Sequence, residues 1–462
     1  MTPAPAVAVK NTKSAAAGIY NHATKKDAHL SIALNILYGA ALTAASPVIG
    51  FKMLTDARWR KGFSQRFGNI PLRDSDAPCL WVHCASVGET LAAQPFITEF
   101  SNTLPNWKTA VSTITPEGNR QAKKHFDCPV FYFPIDFTFT VRRDIARLRP
   151  TAAVMIEKEI WPNFLATCRR ENVPVFVING VVSENFTRRM RTLNKFAGLG
   201  TKLLGQISMF CVQNDTYAER LLALGVAREK VRVTGNLKFD IMRESIEERI
   251  LAELRDKFQI TPGEKIIVGG STHHGEEKVL LEAFGRLRAK YDNLRLILAP
   301  RHVKRVREIQ ALLAENGFPF AIKSNLDRQP APPDSLKHKV IIVDTIGELA
   351  SVYGLASAAF VGGSVANVGG HNVLEPAALG IPTLFGPHTE SCRDSAEMLL
   401  GCDAAKLVTG TYDLETTLDF LFDNPIKTAD MTLRARETVR EQKGAAQRTV
   451  AALISELPVS NA

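Results

Sequence analysis

Three stretches of the chain gather residue types suited to acid–base and anion chemistry. In "LWVHCASVGET", residues 80–90, an apolar run reads as a strand that empties into Ser86, Val87 and Gly88 and carries Glu89 just past its exit. A carboxylate there serves either as a partner for a helix dipole or as a proton acceptor. In "EKEIWPN", residues 157–163, Glu157 and Glu159 are two apart and share a face if extended, while Trp161-Pro162 ends the strand and leaves both acids near its exit. The third stretch is "FVGGSVANVGGHNVLEPAALGIPTLFGPH", residues 360–388. Here a strand runs into Gly362, Gly363 and Ser364, and Gly369 and Gly370 precede His371, Asn372 and a helix carrying Glu375. Paired glycines let backbone approach a ligand, free N–H groups at a helix start suit a phosphate, and Glu375 in the first turn suits a ribose diol. Neither glycine run fits the dinucleotide or P-loop spacing, so a nicotinamide enzyme and a P-loop ATPase are not expected.

Two more strand exits point to an anionic ligand. "GGSTHHGEE", residues 269–277, offers the hydroxyls of Ser271 and Thr272 at a helix start, and "APRH", residues 299–302, places Arg301 and His302 where a guanidinium can pair with phosphate or carboxylate. No two of His273, His274, His302, His371 and His388 have the i, i+4 spacing of a helical zinc motif, so no metal site is expected.

Short apolar runs alternating with amphipathic helical patterns must position these groups, which is the signature of parallel α/β structure. "CLWVHCA", "KTAVSTI", "PVFYFPI", "AAVMIE", "PVFVING" and "MFCVQN" read as strands of the first half, and "VRVTGN", "KIIVGGS", "RLILAPR", "VIIVDT", "AAFVGG" and "PTLFGP" as strands of the second. Two doubly wound domains follow, of about six strands each, with ligand loops at the carboxyl ends. The turn-rich "VTGNLKFD" before a long charged helix sets the boundary, giving domains over 55–236 and 237–462. The last helix is expected to pack back on the first domain. Acceptor activation is assigned to the first domain and donor binding to the second.

Composition narrows the partners. With 45% hydrophobic and 23% charged residues the chain has ample material for a core, and its net charge of +10 suits an anionic ligand, an acidic membrane or nucleic acid. The basic residues are scattered without interleaved aromatic platforms, which sets nucleic acid aside. Seven cysteines without a CxxC pair read as reduced thiols. Residues 1–28 form a polar tail, expected to be disordered, with Ala and Lys but no arginine, unlike a transit peptide. Residues 29–54 hold an uncharged run from Leu30 to Phe51, long enough to cross a bilayer yet weakened by Asn35, Ser46 and Pro47, so a span, an interfacial helix and a buried helix of the first domain all stay open. The denser basic cluster follows it, which keeps the bulk of the chain cytoplasmic.

Taken in order, "RWRKGFSQRFG", "WVHCASVGE", "STITPEGNRQA", "FPIDFTFTVRRDIARLRP", "EKEIWPN", "VQNDTYAERLLALGV", "VTGNLKFD", "GGSTHHGEE", "LAPRH" and the glycine-rich stretch resemble the 3-deoxy-D-manno-octulosonic acid (Kdo) transferases of lipid A biosynthesis, from about Leu30 to about residue 400. The resemblance implies the GT-B glycosyltransferase fold, two Rossmann-like doubly wound α/β domains facing a cleft, with a membrane-associated amino-terminal helix. It implies transfer of Kdo from CMP-Kdo to a lipid A precursor, lipid IVA, with inversion and without an essential metal or cofactor, at the cytoplasmic face of the inner membrane; an organellar inner membrane is the alternative. It makes Glu89 the general base, with Glu159 and then Glu157 in the active site. It gives the donor to Ser271, Thr272, Arg301, His302, Gly363, Ser364, Gly370, Asn372 and Glu375. The chain departs from the family pattern at Val181, where an arginine is usual, at "ESCRD" (390–394) and at Glu117. A transferase using another nucleotide sugar, and a non-catalytic membrane-bound binder of sugar nucleotides, are the competing readings.

Overall fold

A computed structural model of the chain describes residues 60–457 and, ahead of them, residues 35, 36, 38–40, 42–44, 46–48, 51, 54 and 55. The expected tail over 1–28 lies outside the described residues, and the expected helix over 29–54 lies only partly within them. Among the described residues no helix is long and apolar enough to cross a membrane. The described residues divide into two compact units, those up to 241 together with those from 444 onward, and 242–443.

The first unit is built on seven parallel strands: β1 (Cys79–Cys84), β2 (Lys108–Thr113), β3 (Val130–Tyr132), β4 (Ala152–Ile156), β5 (Val175–Gly180), β6 (Met209–Val212) and β7 (Val231–Val233). They lie in the order β3-β2-β1-β4-β5-β6-β7. All six residues of β1 are buried, because apolar side chains leave both faces of the strand and its one polar residue, His83, is hydrogen-bonded to Ser112 Oγ at 3.0 Å. Trp81 enters one core with Phe131, Met155 and Phe164, whereas Leu80, Val82 and Cys84 enter the other with Phe96 and Val154. A strand with two apolar faces must be covered by helices on both sides, which is the doubly wound solution. Each such Leu, Val or Phe removed from water contributes about 1.5–3 kcal/mol before conformational entropy is subtracted. The last helix, Ala445–Ile454, belongs to this unit and sends Ala445, Val450 and Leu453 into the second of these cores.

The second unit repeats the plan with β8 (Lys265–Thr272), β9 (Leu294–Pro300), β10 (Phe320–Ile322), β11 (Val340–Ile342), β12 (Ala358–Val361), β13 (Thr383–Phe385) and β14 (Lys406–Leu407). Their order is β10-β11-β9-β8-β12-β13-β14, again parallel.

Sequence reading and structure differ over single elements. "VRVTGN" was assigned to the second half, but β7 pairs with β6 and closes the first sheet, since Phe210, Cys211 and Val212 present an open edge in register with residues 231–233. β10 and β14 had no apolar run long enough to signal them, being three and two residues long. All seven cysteines are free.

In the first sheet the strand order reverses between β1 and β4, and in the second the chain leaves β8 on one side for β9 and resumes on its other side with β12. Crossovers leave the sheet on opposite faces there, so the loops beyond the carboxyl ends diverge and open a crevice for a ligand. The β1 and β4 exits carry Glu89, Glu157 and Glu159, and the β8 and β12 exits carry Ser271, Thr272 and the glycine-rich stretch.

Candidate active site

In the first unit, β1 ends at Cys84 and the helix Val87–Thr103 starts three residues later with Ser86 as its N-cap. The Ser86 hydroxyl accepts from Glu89 N at 3.3 Å, and the Glu89 carboxylate reaches back to accept from Ala85 N at 2.7 Å and from the Ser86 hydroxyl at 3.2 Å. This reciprocal cap fixes the carboxylate in one place. Glu89 is only 7% exposed, and burial raises its carboxyl to about 7, against the pull of the Ala85 N–H and with a further push from Glu157 and Glu159. The structure therefore brings the three acids within electrostatic reach of one another, on loops adjacent at the strand-order reversal. A carboxyl that titrates near neutral pH has the proton affinity a general base needs. A Cβ built on Gly88 meets nothing closer than Ser86 Oγ at 3.9 Å, so the backbone beside Glu89 borders open space.

Glu157 and Glu159 do not share a face of a strand. β4 stops at Ile156, and Glu157 takes a left-handed turn with φ 62. Its carboxylate pairs with Lys238 Nζ at 3.0 Å, a partner that the motif reading passed over although Lys238 is the one cation in "VTGNLKFD". Burial raises the Glu159 carboxyl. The rest of "EKEIWPN" is held from below by Asp136, whose carboxylate accepts from the first amides of the helix Pro162–Arg170, Asn163 N at 3.0 Å and Phe164 N at 2.7 Å. Asn163 in turn donates to Asn35 Oδ1 at 3.1 Å, and Thr138 exchanges two hydrogen bonds with the Asn35 amide. The amino-terminal segment is thus docked on the element that follows the two acids. Val181 lies with Ile160, Val182, Phe186 and Leu221 around a small apolar recess whose mouth carries Glu157 and Lys158.

In the second unit the expected phosphate cradle is already filled. Glu276, 1% exposed, folds its carboxylate into the turn after β12: Oε2 accepts from His273 N and Gly363 N, both at 2.8 Å, and Oε1 from Ser364 N, Val365 N and Ala366 N at 3.0, 2.9 and 3.1 Å. The amides of Gly363 and Ser364, two residues the resemblance gave to the donor, are thus held by an internal carboxylate. The Ser364 hydroxyl is also committed, donating to Val361 O and accepting from Gly386 N. Nothing in the local sequence signals this, because Glu276 and the loop are some ninety residues apart. Glu277, 1% exposed, forms a two-point ion pair with Arg305.

The helix carrying Glu375 runs only from Leu374 to Ala378, and Leu374 N already donates to Asn372 Oδ1, so it is not the anion-binding helix start that the sequence suggested. Ser271 and Thr272 are likewise on the end of β8, not at a helix start, since the next helix begins at Glu276. Ser271 adopts φ 53, and Thr272 is fully buried. Gly370, with φ 76, packs against the 388–392 segment, where a Cβ would meet His388 O at 2.9 Å. Arg301 leaves β9 with its amide on Thr272 O at 3.1 Å, which ties the two exits together. Its guanidinium and His302 are exposed; burial raises the Glu375 carboxyl, against the pull of Asn372, which donates to it at 3.1 Å, and of the Arg301 charge. His273 and His371 complete the cluster, Nε2 to Nε2 at 2.8 Å. Among the described residues no group of three or more His, Cys, Asp or Glu is placed to hold a metal ion.

Two parallel seven-stranded Rossmann-like units, each with its polar cluster at the reversal of strand order, define the GT-B class of glycosyltransferase fold. Solved structures share it: a UDP-N-acetylglucosamine 2-epimerase from Neisseria meningitidis at TM-score 0.57 and 17% identity, over 82% of this chain and 100% of that one, and a glycosyltransferase from Rickettsia africae at TM-score 0.56 and 13% identity, over 84% and 100%. The sequence pattern of the 3-deoxy-D-manno-octulosonic-acid transferase (kdotransferase) family matches residues 61–241. The 3-deoxy-D-manno-octulosonic acid transferases of Chlamydophila psittaci and Haemophilus influenzae are each 31% identical to the chain, over 88% and 89% of it and 92% and 96% of their own lengths. The chain belongs to the Kdo transferase family and is a glycosyltransferase.

Proposed function

We propose that the protein transfers Kdo from CMP-Kdo to a lipid A precursor, lipid IVA, with Glu89 as the general base. The observation that carries this reading is Glu89 itself, a buried carboxyl locked by a reciprocal cap, raised to about 7 and bordered by open space, in a chain of the Kdo transferase family. A sugar hydroxyl is a weak nucleophile at neutral pH, and a carboxylate within about 2.6–3.2 Å takes its proton as the oxygen attacks the anomeric carbon. The bond from that carbon to the CMP phosphate breaks, and CMP departs with the electron pair. Arg301 meets the growing negative charge on the phosphate, where a fixed cation acts without reorganisation. Glu375 and Asn372 hold the nucleoside end. Glu159 and Glu157 keep the Glu89 proton affinity high, and Lys238 limits the accumulated negative charge. The reaction is proposed to need no metal.

The site of action is proposed to be the cytoplasmic face of the inner membrane. Ile36, Val48, Phe51 and Leu54 of the amino-terminal segment are 68, 59, 68 and 80% exposed, an apolar set that an anionic lipid surface would cover beside flanking lysines and arginines. The test is a product mass spectrum after incubation with CMP-Kdo and lipid IVA, with EDTA-treated protein alongside. Addition of Kdo by the wild type, and its loss in Glu89→Ala with CMP binding retained, is the expected result. Full transfer by Glu89→Ala would overturn the base assignment, and transfer from a UDP-sugar instead would overturn the donor.

A further inference from the structure

We propose that the paired imidazoles of His273 and His371 are the proton-bearing anion contact of the donor site, holding one shared N–H in the free protein and taking up one proton when the phosphate of a nucleotide ligand enters. The inference rests on the donor reading given above and adds to it a residue pair and a proton.

The rings meet head-on. Their Nε2 atoms are 2.8 Å apart, and a centroid separation of 5.1 Å with 13° between planes leaves them side by side and nearly coplanar, not face to face. Gly363 makes the meeting possible: a Cβ there would lie 2.9 Å from His371 Cδ2 and 3.1 Å from its Nε2, on a backbone with φ +73. The second glycine of "VGGS" therefore serves two imidazoles and not a phosphate.

Such a contact has a defined proton capacity. With both rings neutral, one Nε2–H donates to the other bare Nε2, and the donor ring keeps a free Nδ1 lone pair. A proton from solvent added at that Nδ1 makes the donor an imidazolium and turns the bond into a charge-assisted one, which is shorter and stronger. A second proton would set two Nε2–H groups against each other and break the contact. One proton is thus the stable load.

The surrounding charges tie the load to ligand. His371 is driven down to about 4 by burial, then by Arg301, His273 and His302, with Glu276 opposing. His273 is lowered by burial, with His302 and Arg305 acting the same way against Glu276 and Glu277. Glu276 and Glu277 are fixed in internal bonds, and Arg305 is paired with Glu277 and Glu308. Arg301 is the exposed charge of the set, and it is the group proposed to receive the phosphate. An anion on Arg301 cancels its repulsion of an imidazolium and adds its own attraction, so the pair protonates as the ligand arrives and returns the proton to solvent when CMP leaves.

The experiment is calorimetry of CMP binding to the full-length protein at pH 7.5 in two buffers of different ionisation enthalpy, which counts the protons taken up. The expected result is a fractional proton uptake per CMP for the wild type that grows as the pH is lowered from 7.5 towards 6, an uptake at least halved in His371→Asn and in His273→Asn, and a CMP affinity that falls as pH rises, by up to about tenfold per pH unit within the uptake window. CMP binding by the wild type with buffer-independent heat would overturn the proposal while leaving the donor reading intact, as would an uptake unchanged in both variants. No CMP binding by the wild type would overturn the donor reading and this inference with it.

Discussion

Replacing Glu276 by glutamine tests the claim that an internal carboxylate, not a ligand, organises the glycine-rich turn. The two oxygens of Glu276 accept five backbone N–H groups, two on Oε2 and three on Oε1. A glutamine has one acceptor oxygen, so in either orientation its NH2 faces at least two amides that can only donate. Each lost bond to a charged group costs about 1.5–3 kcal/mol in a site that water does not reach, so the turn should be weakened by about 3–6 kcal/mol. Global stabilities are about 5–15 kcal/mol, so the loss is large but local opening should absorb it first. Amide hydrogen exchange reads it directly: peptides covering His273 and residues 363–366 should exchange about a hundredfold to ten-thousandfold faster, at 1.4 kcal/mol per factor of ten. Glu282→Gln, on the exposed face of the same helix, should leave them unchanged. An acceleration below tenfold in Glu276→Gln would refute the reasoning.

Transfer should follow the ionisation of Glu89: the rate is low below pH 6, rises through about 7 and levels above it, and Glu89→Gln lowers it by about a hundredfold or more without that titration. Gly88→Ala should leave thermal stability unchanged or raise it by up to about 1 kcal/mol, because the new methyl meets only Ser86 Oγ, at an ordinary contact of 3.9 Å, while acceptor KM rises if the acceptor passes over that face. Glu89, Asp136 and Asp144 are all raised by burial, to about 7, 7 and 8. Carboxyls raised on folding bind more protons in the native state, so their stabilisation is full below pH 4 and is lost as pH climbs through 7 to 8. Asp144→Asn should flatten that decline in urea unfolding measured from pH 5 to 9, and an unchanged pH slope would exclude Asp144 as a source.

Much of the architecture is legible in the order of residues because a buried parallel strand needs a continuous apolar run and a crossover needs an amphipathic helix. Eleven-residue stretches such as "LWVHCASVGET" therefore declare strand, exit and acid together. The short β10 and β14 escape this because edge strands of two or three residues need little burial.

The sequence by itself determined which residues stand at strand exits, Glu89, Glu157, Glu159 and Arg301, and which follow in the glycine-rich stretch, Asn372 and Glu375. Only the tertiary structure decided which of them meet and which amides stay free. Glu276 reaches Gly363, His371 reaches His273, and Lys238 reaches Glu157 across about 80 to 100 residues of chain. Hydrogen bonds and ion pairs act over a few ångströms, so their partners are chosen by the sheet order that places β8 beside β12 and β1 beside β4. A glycine pair looks the same in sequence whether it cradles a phosphate, a carboxylate or two imidazoles. The difference is made by what the fold carries to it.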